Sequence, residues 1–184
     1  DRTTDGLSLA DAHQLRRLVD AVLTIGSDLA LPAVLRRITE TAAELVGARY
    51  AALGVLDDDR SGLIEFVTVG LTAHEVAGIG APPKGHGILG LLIVDPQPIR
   101  LPDLKQHPDS FGFPPGHPPM ASFLGVPILL RDAIYGNLYL TEKLAEDGSP
   151  ALFTDADEAL AIALANAAGL AIENARLHEQ AQLA

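Results

Sequence analysis

His117 is the strongest candidate for a metal-ligating residue, because it lies between Gly116 and the pair Pro118-Pro119. Pro118 disfavours a helical backbone at His117, and the two proline rings restrict the chain after it. An imidazole whose direction is fixed in this way is a suitable metal ligand, since neutral histidine binds metals readily. A lone histidine in a proline-rich loop is, however, more often a solvated surface residue, so this stretch alone leaves both interpretations open.

Apolar side chains lie within a few residues of His117 on both sides and are candidates for the walls of a cavity. These are Phe111, Phe113, Met120 and Phe123. Met120 is the only methionine and is also a candidate sulfur ligand, although a packing role in the core is commoner for this residue type.

Tyr139 is the second candidate for a functional side chain. Alternation along a strand places four polar or aromatic residues on one face, which are Tyr135, Asn137, Tyr139 and Thr141. If that face lines a pocket, the Tyr139 hydroxyl could donate a hydrogen bond to a ligand opposite His117, directly or through a water. The alternative is a half-buried sheet tyrosine whose hydroxyl reaches solvent.

The five other histidines are weaker candidates. His86 and His107 flank the proposed pocket and could replace His117 as a ligand, whereas His13 and His178 fall on terminal helices and are expected to face solvent. No histidine pair has the i, i+4 spacing of a zinc-binding helix. Gly54 interrupts the first strand pattern, and its missing side chain could leave a cavity edge open to water or gas.

Composition excludes several classes of function. There is no cysteine, which removes thiolate catalysis, Fe–S clusters, Cys-ligated zinc and a thioether-linked chromophore. The net charge of −11 argues against nucleic-acid binding. The chain lacks the Gly-x-Ser-x-Gly motif of serine hydrolases. It also lacks the Gly-Lys-Ser/Thr sequence that ends a phosphate-binding loop. No apolar run approaches the roughly 20 residues of a membrane span, so we expect a cytoplasmic, soluble domain without membrane contact.

Hydrophobic periodicity predicts helices at both ends around a mainly antiparallel sheet, an α+β arrangement. Strands are expected at 50–56, 63–69, 99–101, 122–130 and 134–141, and a short helix at 72–79. The last helix is expected to begin after Thr154, with Asp157 completing a capping box, and to reach about His178. Segment 102–119 holds six prolines, and a long irregular loop of this kind is more often functional than idle.

Four sequence motifs resemble those of a known family. They lie at 117–120, 123–127, 136–141 and, near the end of the chain, 171–177. That family is the GAF domains of actinobacterial dormancy-type sensor histidine kinases, which sense oxygen and redox state through haem. The resemblance implies a GAF fold whose N- and C-terminal helices pack on one face of the sheet. It also implies that His117 is the proximal ligand of haem b (iron protoporphyrin IX) and that Tyr139 faces the bound gas.

The resemblance also implies a function for the whole chain. We expect residues 1–14 to be an N-terminal extension that includes the start of the first helix, 15–178 the sensory domain, and 179–184 a tail toward the kinase domains of a two-component system. The fragment is expected to bind O2, CO or NO or to respond to redox state, to lack enzymatic activity of its own, and to form a homodimer through its terminal helices. Two alternatives remain open: a GAF domain for another small ligand, such as a cyclic nucleotide or an anion, and a ligand-free dimerisation module.

Overall fold

A five-stranded antiparallel sheet forms the centre of the protein in the computed structural model, which describes residues 9–25, 30–79, 88–108 and 118–184. The spatial order of its strands is β2-β1-β5-β4-β3. In chain order the elements are α1 (Leu9–Ile25), α2 (Leu31–Val46), β1 (Ala48–Leu56), β2 (Leu63–Val69), α3 (Ala73–Ile79), α4 (Ile88–Val94), β3 (Ile99–Leu101), a 3-10 helix (Leu104–Gln106), β4 (Phe123–Leu130), β5 (Ala133–Lys143) and α5 (Asp155–Leu183). The α+β fold expected from the sequence is confirmed.

Helices α2 and α5 cover one face of the sheet, and α1 packs on these two helices. The larger hydrophobic core lies between the helices and the strands. Its centre is formed by fully buried aliphatic side chains, which include Leu35, Ile38, Leu138, Leu140, Leu164 and Ile172. Pro32 lies in the first turn of α2, where its missing N–H costs nothing. Gly47 ends α2 with a φ of +69°, a left-handed conformation that glycine adopts without strain.

Helix α5 is fixed at its start and along its length. Thr154 and Asp157 form the expected capping box, in which each side chain accepts a hydrogen bond from the backbone N–H of the other residue. Farther along, Gly169 lets α5 approach β4 closely, because a Cβ there would lie only 2.3 Å from the carbonyl oxygen of Leu129. Lys143 of β5 ties these elements together, since its Nζ lies 3.1 Å from an Asp157 carboxylate oxygen and 2.6 Å from the Val46 carbonyl oxygen.

The second face of the sheet has a thinner cover. The short helix α4 and the 3-10 helix pack there and bury a separate apolar cluster, whose members include Leu92, Leu104, Met120, Phe123 and Tyr139. Helix α4 ends at Val94. This face holds Phe123 and Tyr139, two of the candidate aromatic side chains.

The terminal helices pack unevenly. Helix α1 begins at Leu9, and α5 continues to Leu183, past the helix end expected at about His178. Helix α1 presents two faces: Leu18 packs on the core, whereas Leu15 and Val19 are about half exposed. Within the described residues, no helix combines the length and the apolarity of a membrane span.

Candidate functional site

Tyr139 lies at the centre of the second face of the sheet. Its cross-strand neighbours are Ala52 on β1 and Gly125 on β4, both small. Its ring lies between those of Phe66 and Phe123, with ring centroids 6.3 Å away on each side. The aromatic ring therefore rises from a sheet surface of small residues and is held laterally by two phenylalanines.

Tyr139 is only 3% exposed, and within the described part of the chain its buried hydroxyl has no hydrogen-bond partner. Burial raises the pKa of Tyr139 to about 12, because the apolar surroundings disfavour the phenolate. The neighbouring Asn137 amide acts in the opposite direction and lowers this pKa, although the two side chains do not form a hydrogen bond of normal geometry. The hydroxyl is therefore a neutral phenol at physiological pH, able to donate or accept a hydrogen bond.

Asn137 lies two residues before Tyr139 on the same face of β5 and is completely buried. Neither polar atom of its amide has a hydrogen-bond partner among the residues that the structure describes. Its cross-strand neighbours are Gly54 on β1 and Pro127 on β4, neither of which has a polar side chain. The predicted alternation along β5 is confirmed, since Leu138 and Leu140 instead belong to the core beneath the helices.

Met120 and Thr141 close the cluster near the end of β5. Thr141 donates a hydrogen bond to the Met120 sulfur over 3.3 Å, and both residues are buried. An open cavity of about 170 Å³ lies beside Met120, lined by Asp103, Lys105, Pro119, Met120, Ala121 and Glu142. This cavity is more polar than the cluster around Tyr139, and its volume is below the roughly 300 Å³ typical of small-molecule sites.

Two glycines let side chains pack tightly on this face. A Cβ at Gly54 would lie 2.9 Å from Leu63 Cδ2 and 3.3 Å from Tyr139 Cε2. A Cβ at Gly125 would lie 2.5 Å from Leu92 Cδ1. The space next to Gly54 is therefore filled by Leu63 and the tyrosine ring, and Gly125 makes room for α4.

The structure brings together three of the six candidate site residues, namely Met120, Phe123 and Tyr139. The other three, Phe111, Phe113 and His117, lie outside the described residues, as does His86. Among the remaining histidines, His13, His74 and His178 are exposed and His107 is half-buried. The part of the chain that the structure describes contains no group of three or more His, Asp or Glu residues that could hold a metal ion.

A family model described as "GAF domain" matches residues 15–173. The chain belongs to the GAF domain family. Solved structures agree with this fold: the GAF domain of a phosphoenolpyruvate-protein phosphotransferase from Coxiella burnetii superimposes with a TM-score of 0.76, at 24% identity, over 94% of this chain and 99% of that one.

Two further GAF-fold structures are similar. Free methionine-R-sulfoxide reductase from Neisseria meningitidis, solved with its substrate, gives a TM-score of 0.71 at 18% identity, covering 94% of this chain and 96% of that one. The GAF domain of a candidate sensor histidine kinase from Pseudomonas syringae pv. tomato gives 0.60 at 17% identity, over 95% and 94% of the two chains. At these identities the likeness shows the fold alone. This chain is thus a GAF domain, a module of the general signalling and ligand-binding type.

Asn137 and Phe66 are the residues that the search for site residues did not single out. Asn137 was placed on the correct face by alternation along β5, but nothing in the sequence marks its amide as unpaired. Phe66 reaches Tyr139 through the pairing of β2 with β1, which sets Phe66 opposite Gly54. Register of that kind comes from tertiary packing and is not readable from a single strand.

Proposed function

We propose that this GAF domain is a sensory module that binds b-type haem on the second face of the sheet, with His117 as the iron ligand. The observation that carries the proposal is the unpartnered Tyr139 hydroxyl within an aromatic and aliphatic cluster. A buried donor without a partner, in otherwise apolar surroundings, is the arrangement expected where a small ligand is recognised. The resemblance of segments 117–120 and 136–141 to the haem-binding sensor kinases supports haem as that ligand.

The described residues fit a haem in the chemistry of their side chains. Phe66, Phe123 and Met120 supply apolar surface for a flat macrocycle. Met120 follows His117 by three residues and is buried in this cluster, which favours an iron ligand donated to the same face. Haem, when bound, supplies an iron that takes diatomic gases and changes its redox state. The tyrosine hydroxyl would then discriminate among O2, CO and NO by hydrogen bonding.

The wider role follows the same resemblance. We propose that the domain has no catalytic activity itself and passes its signal to the kinase domains of a two-component sensor. Cysteine is absent, so thiol-dependent reduction, which would be one enzymatic alternative on this fold, has no nucleophile in this chain. The candidate histidine kinase with a similar GAF domain makes a role in such a sensor plausible on fold grounds.

The terminal helices are proposed to join two copies of the chain. Leu15, Val19 and Leu23 are 50%, 48% and 69% exposed on α1, and Leu170 and Leu177 are 63% and 52% exposed on α5. Apolar side chains at helical spacing suit helix–helix packing between protomers. Light scattering at micromolar concentration is expected to give a dimer, and Leu15→Lys with Val19→Lys to give a monomer. A monomeric wild-type chain would contradict this part of the proposal.

Titration of the purified, haem-free chain with haemin tests the main proposal. We expect an intense Soret band that saturates at one haem per chain, with spectral shifts when the ferrous form is exposed to carbon monoxide. A control titration with a Phe123→Ser variant, which places a hydroxyl in the apolar wall, should require more haemin. A wild-type spectrum that remains the sum of free haemin and protein would refute haem binding. It would leave the alternatives of another small ligand or a ligand-free dimerisation module.

A further inference from the structure

Most of the buried polar side-chain atoms that lack a partner in the described residues belong to two residues of β5. Among the described residues, four buried side-chain nitrogen or oxygen atoms lack a hydrogen-bond partner, and three of them belong to Asn137 and Tyr139. Both residues are almost fully buried, at 0% and 3% exposed. Native proteins pair nearly all such atoms, because an unpaired buried donor or acceptor is strongly unfavourable. The pair therefore needs an explanation beyond packing.

No protein group across the neighbouring strands can satisfy these atoms. The residues opposite Asn137 are Gly54 and Pro127, and those opposite Tyr139 are Ala52 and Gly125. None of the four has a polar side chain. Thr141, the next residue on the same face, already donates its hydroxyl to the Met120 sulfur. The polar atoms thus lie two residues apart on one face of β5, within an otherwise apolar neighbourhood.

We propose that Asn137 and Tyr139 form an internal site for one small polar group that both donates and accepts hydrogen bonds. Through this group Asn137 orients the Tyr139 hydroxyl, so Asn137 is a positioning residue. The amide offers an NH2 group with two N–H donors and a carbonyl oxygen that accepts, and the phenol can donate or accept. A buried water, which typically makes about three hydrogen bonds, has the required chemistry, and so has a polar atom of a bound ligand. The site itself does not depend on haem. A role of the oriented Tyr139 hydroxyl in discriminating among gas ligands rests on the proposed function.

A double-mutant cycle on the unfolding equilibrium tests the shared group. Asn137→Leu keeps a similar volume without polar atoms, and Tyr139→Phe removes only the hydroxyl. If both residues contact one group, we expect Asn137→Leu to lower the folding equilibrium constant about tenfold, with the double variant losing clearly less than the product of the single effects. Thr141→Val is the matched control, because Thr141 is buried on the same face but has its own partner. The factors by which Thr141→Val and Asn137→Leu change the folding equilibrium constant should simply multiply in the double variant.

The cycle is run on the haem-free chain and on the haemin-loaded chain, which separates the two sources of the group. Coupling in the haem-free chain supports a bound water when a water also gives a nuclear Overhauser contact to the Asn137 amide. Coupling without that contact, which a direct Asn137–Tyr139 hydrogen bond would produce, overturns the shared group. Coupling only in the loaded chain identifies an atom of the ligand. The proposal is overturned if the effects of Asn137→Leu and Tyr139→Phe are independent in both the haem-free and the haemin-loaded chain. It is also overturned if Asn137→Leu raises the folding equilibrium constant in both. If haemin does not bind at all, the proposed function fails, and the haem-free cycle alone decides between a water site and none.

The positioning role is tested by the ionisation of Tyr139, which a purely structural asparagine would not control. Tyrosine labelled with carbon-13 at Cζ reports each phenol in an NMR titration, and Tyr139→Phe identifies the signal. In the form that shows coupling, Asn137→Leu is expected to move the Tyr139 titration to higher pH, whereas Thr141→Val leaves it in place. An unchanged titration in the Asn137→Leu variant would overturn the positioning role.

Discussion

The two faces of the central sheet are built from the same strands but satisfy different demands. Toward α1, α2 and α5, β5 contributes Leu138 and Leu140, which are fully buried among aliphatic side chains. Toward α4, the same strand contributes Asn137 and Tyr139, whose buried polar atoms have no partners in the described ranges of the chain. One face thus carries the stability of the fold. The other face departs from close apolar packing by burying an amide and a phenol, and such departures are common at functional sites.

The difference also appears in the cover over each face. Three long helices of 16, 17 and 29 residues close the first face, and Gly169 lets the longest of them touch the backbone of β4. Among the described residues, the seven-residue α4 and the 3-10 helix cover the second. A thin cover made of short elements opens more readily than packed long helices, because its local stability is lower. Ligand entry is therefore expected from the second face.

Truncation of the helix-facing core should have the largest effect. Leu138→Ala is expected to lower the free energy of unfolding by about 2–5 kcal/mol, because it removes a fully buried side chain from a close-packed core. Tyr139→Phe, one residue away on the opposite face, should cost no more than about 1.5 kcal/mol, the net value of one hydrogen bond. Urea unfolding of both variants measures the contrast. Equal losses would mean that the two faces do not differ in role.

Alkaline pH should weaken the fold through Tyr139. Its pKa is raised from 10.0 to about 12 in the folded protein, so between these values the unfolded chain releases the proton while the folded chain keeps it. Stability contributed by the buried phenol is therefore fully present below pH 10 and is lost as the pH rises toward 12, by up to about 2–3 kcal/mol. The measurement compares the unfolding free energies of wild type and Tyr139→Phe from pH 9 to pH 12. Parallel curves would contradict a raised pKa for Tyr139.

Glycine substitutions on the two faces should differ by a smaller amount. Gly169→Ala sets a methyl group against the backbone oxygen of Leu129, which cannot give way without moving a strand, and we expect a loss of about 1–3 kcal/mol. Gly54→Ala meets the end of the Leu63 side chain and the edge of the Tyr139 ring, which can shift. Its cost in thermal unfolding should be smaller, and the environment of Tyr139 should change in its near-ultraviolet circular dichroism. A larger loss for Gly54→Ala would reverse this ranking.

Much of the fold could be predicted from the sequence, because its signals are local. The strand at 63–69 and the capping box of Thr154 and Asp157 were both predicted, and both are present. The limits of α5 were predicted less well: this Ala-rich helix has no stop signal near His178 and continues to Leu183. Helical propensity alone does not fix such an end.

The candidate site could be predicted only in part. Alternation along β5 correctly separated Tyr139 from Leu138, since side-chain direction in a strand follows from its period of two. The contact of Phe66 with Tyr139, and the absence of partners around Asn137, depend on strand pairing and on which elements cover the sheet. Those are tertiary features without a local signal. The role of His117 remains a prediction that rests on its neighbouring prolines and on the family resemblance.

The haem spectrum of a His117→Ala variant tests the central claim most directly. His178→Ala, an exposed histidine on α5, is the matched control, and His86→Ala and His107→Ala cover the other loop histidines. After equal treatment with haemin, we expect His117→Ala to show a weakened and shifted Soret band with unchanged far-ultraviolet circular dichroism. The three other variants should match wild type. Full, unshifted haem binding by a folded His117→Ala variant would contradict the assignment of His117 as the iron ligand.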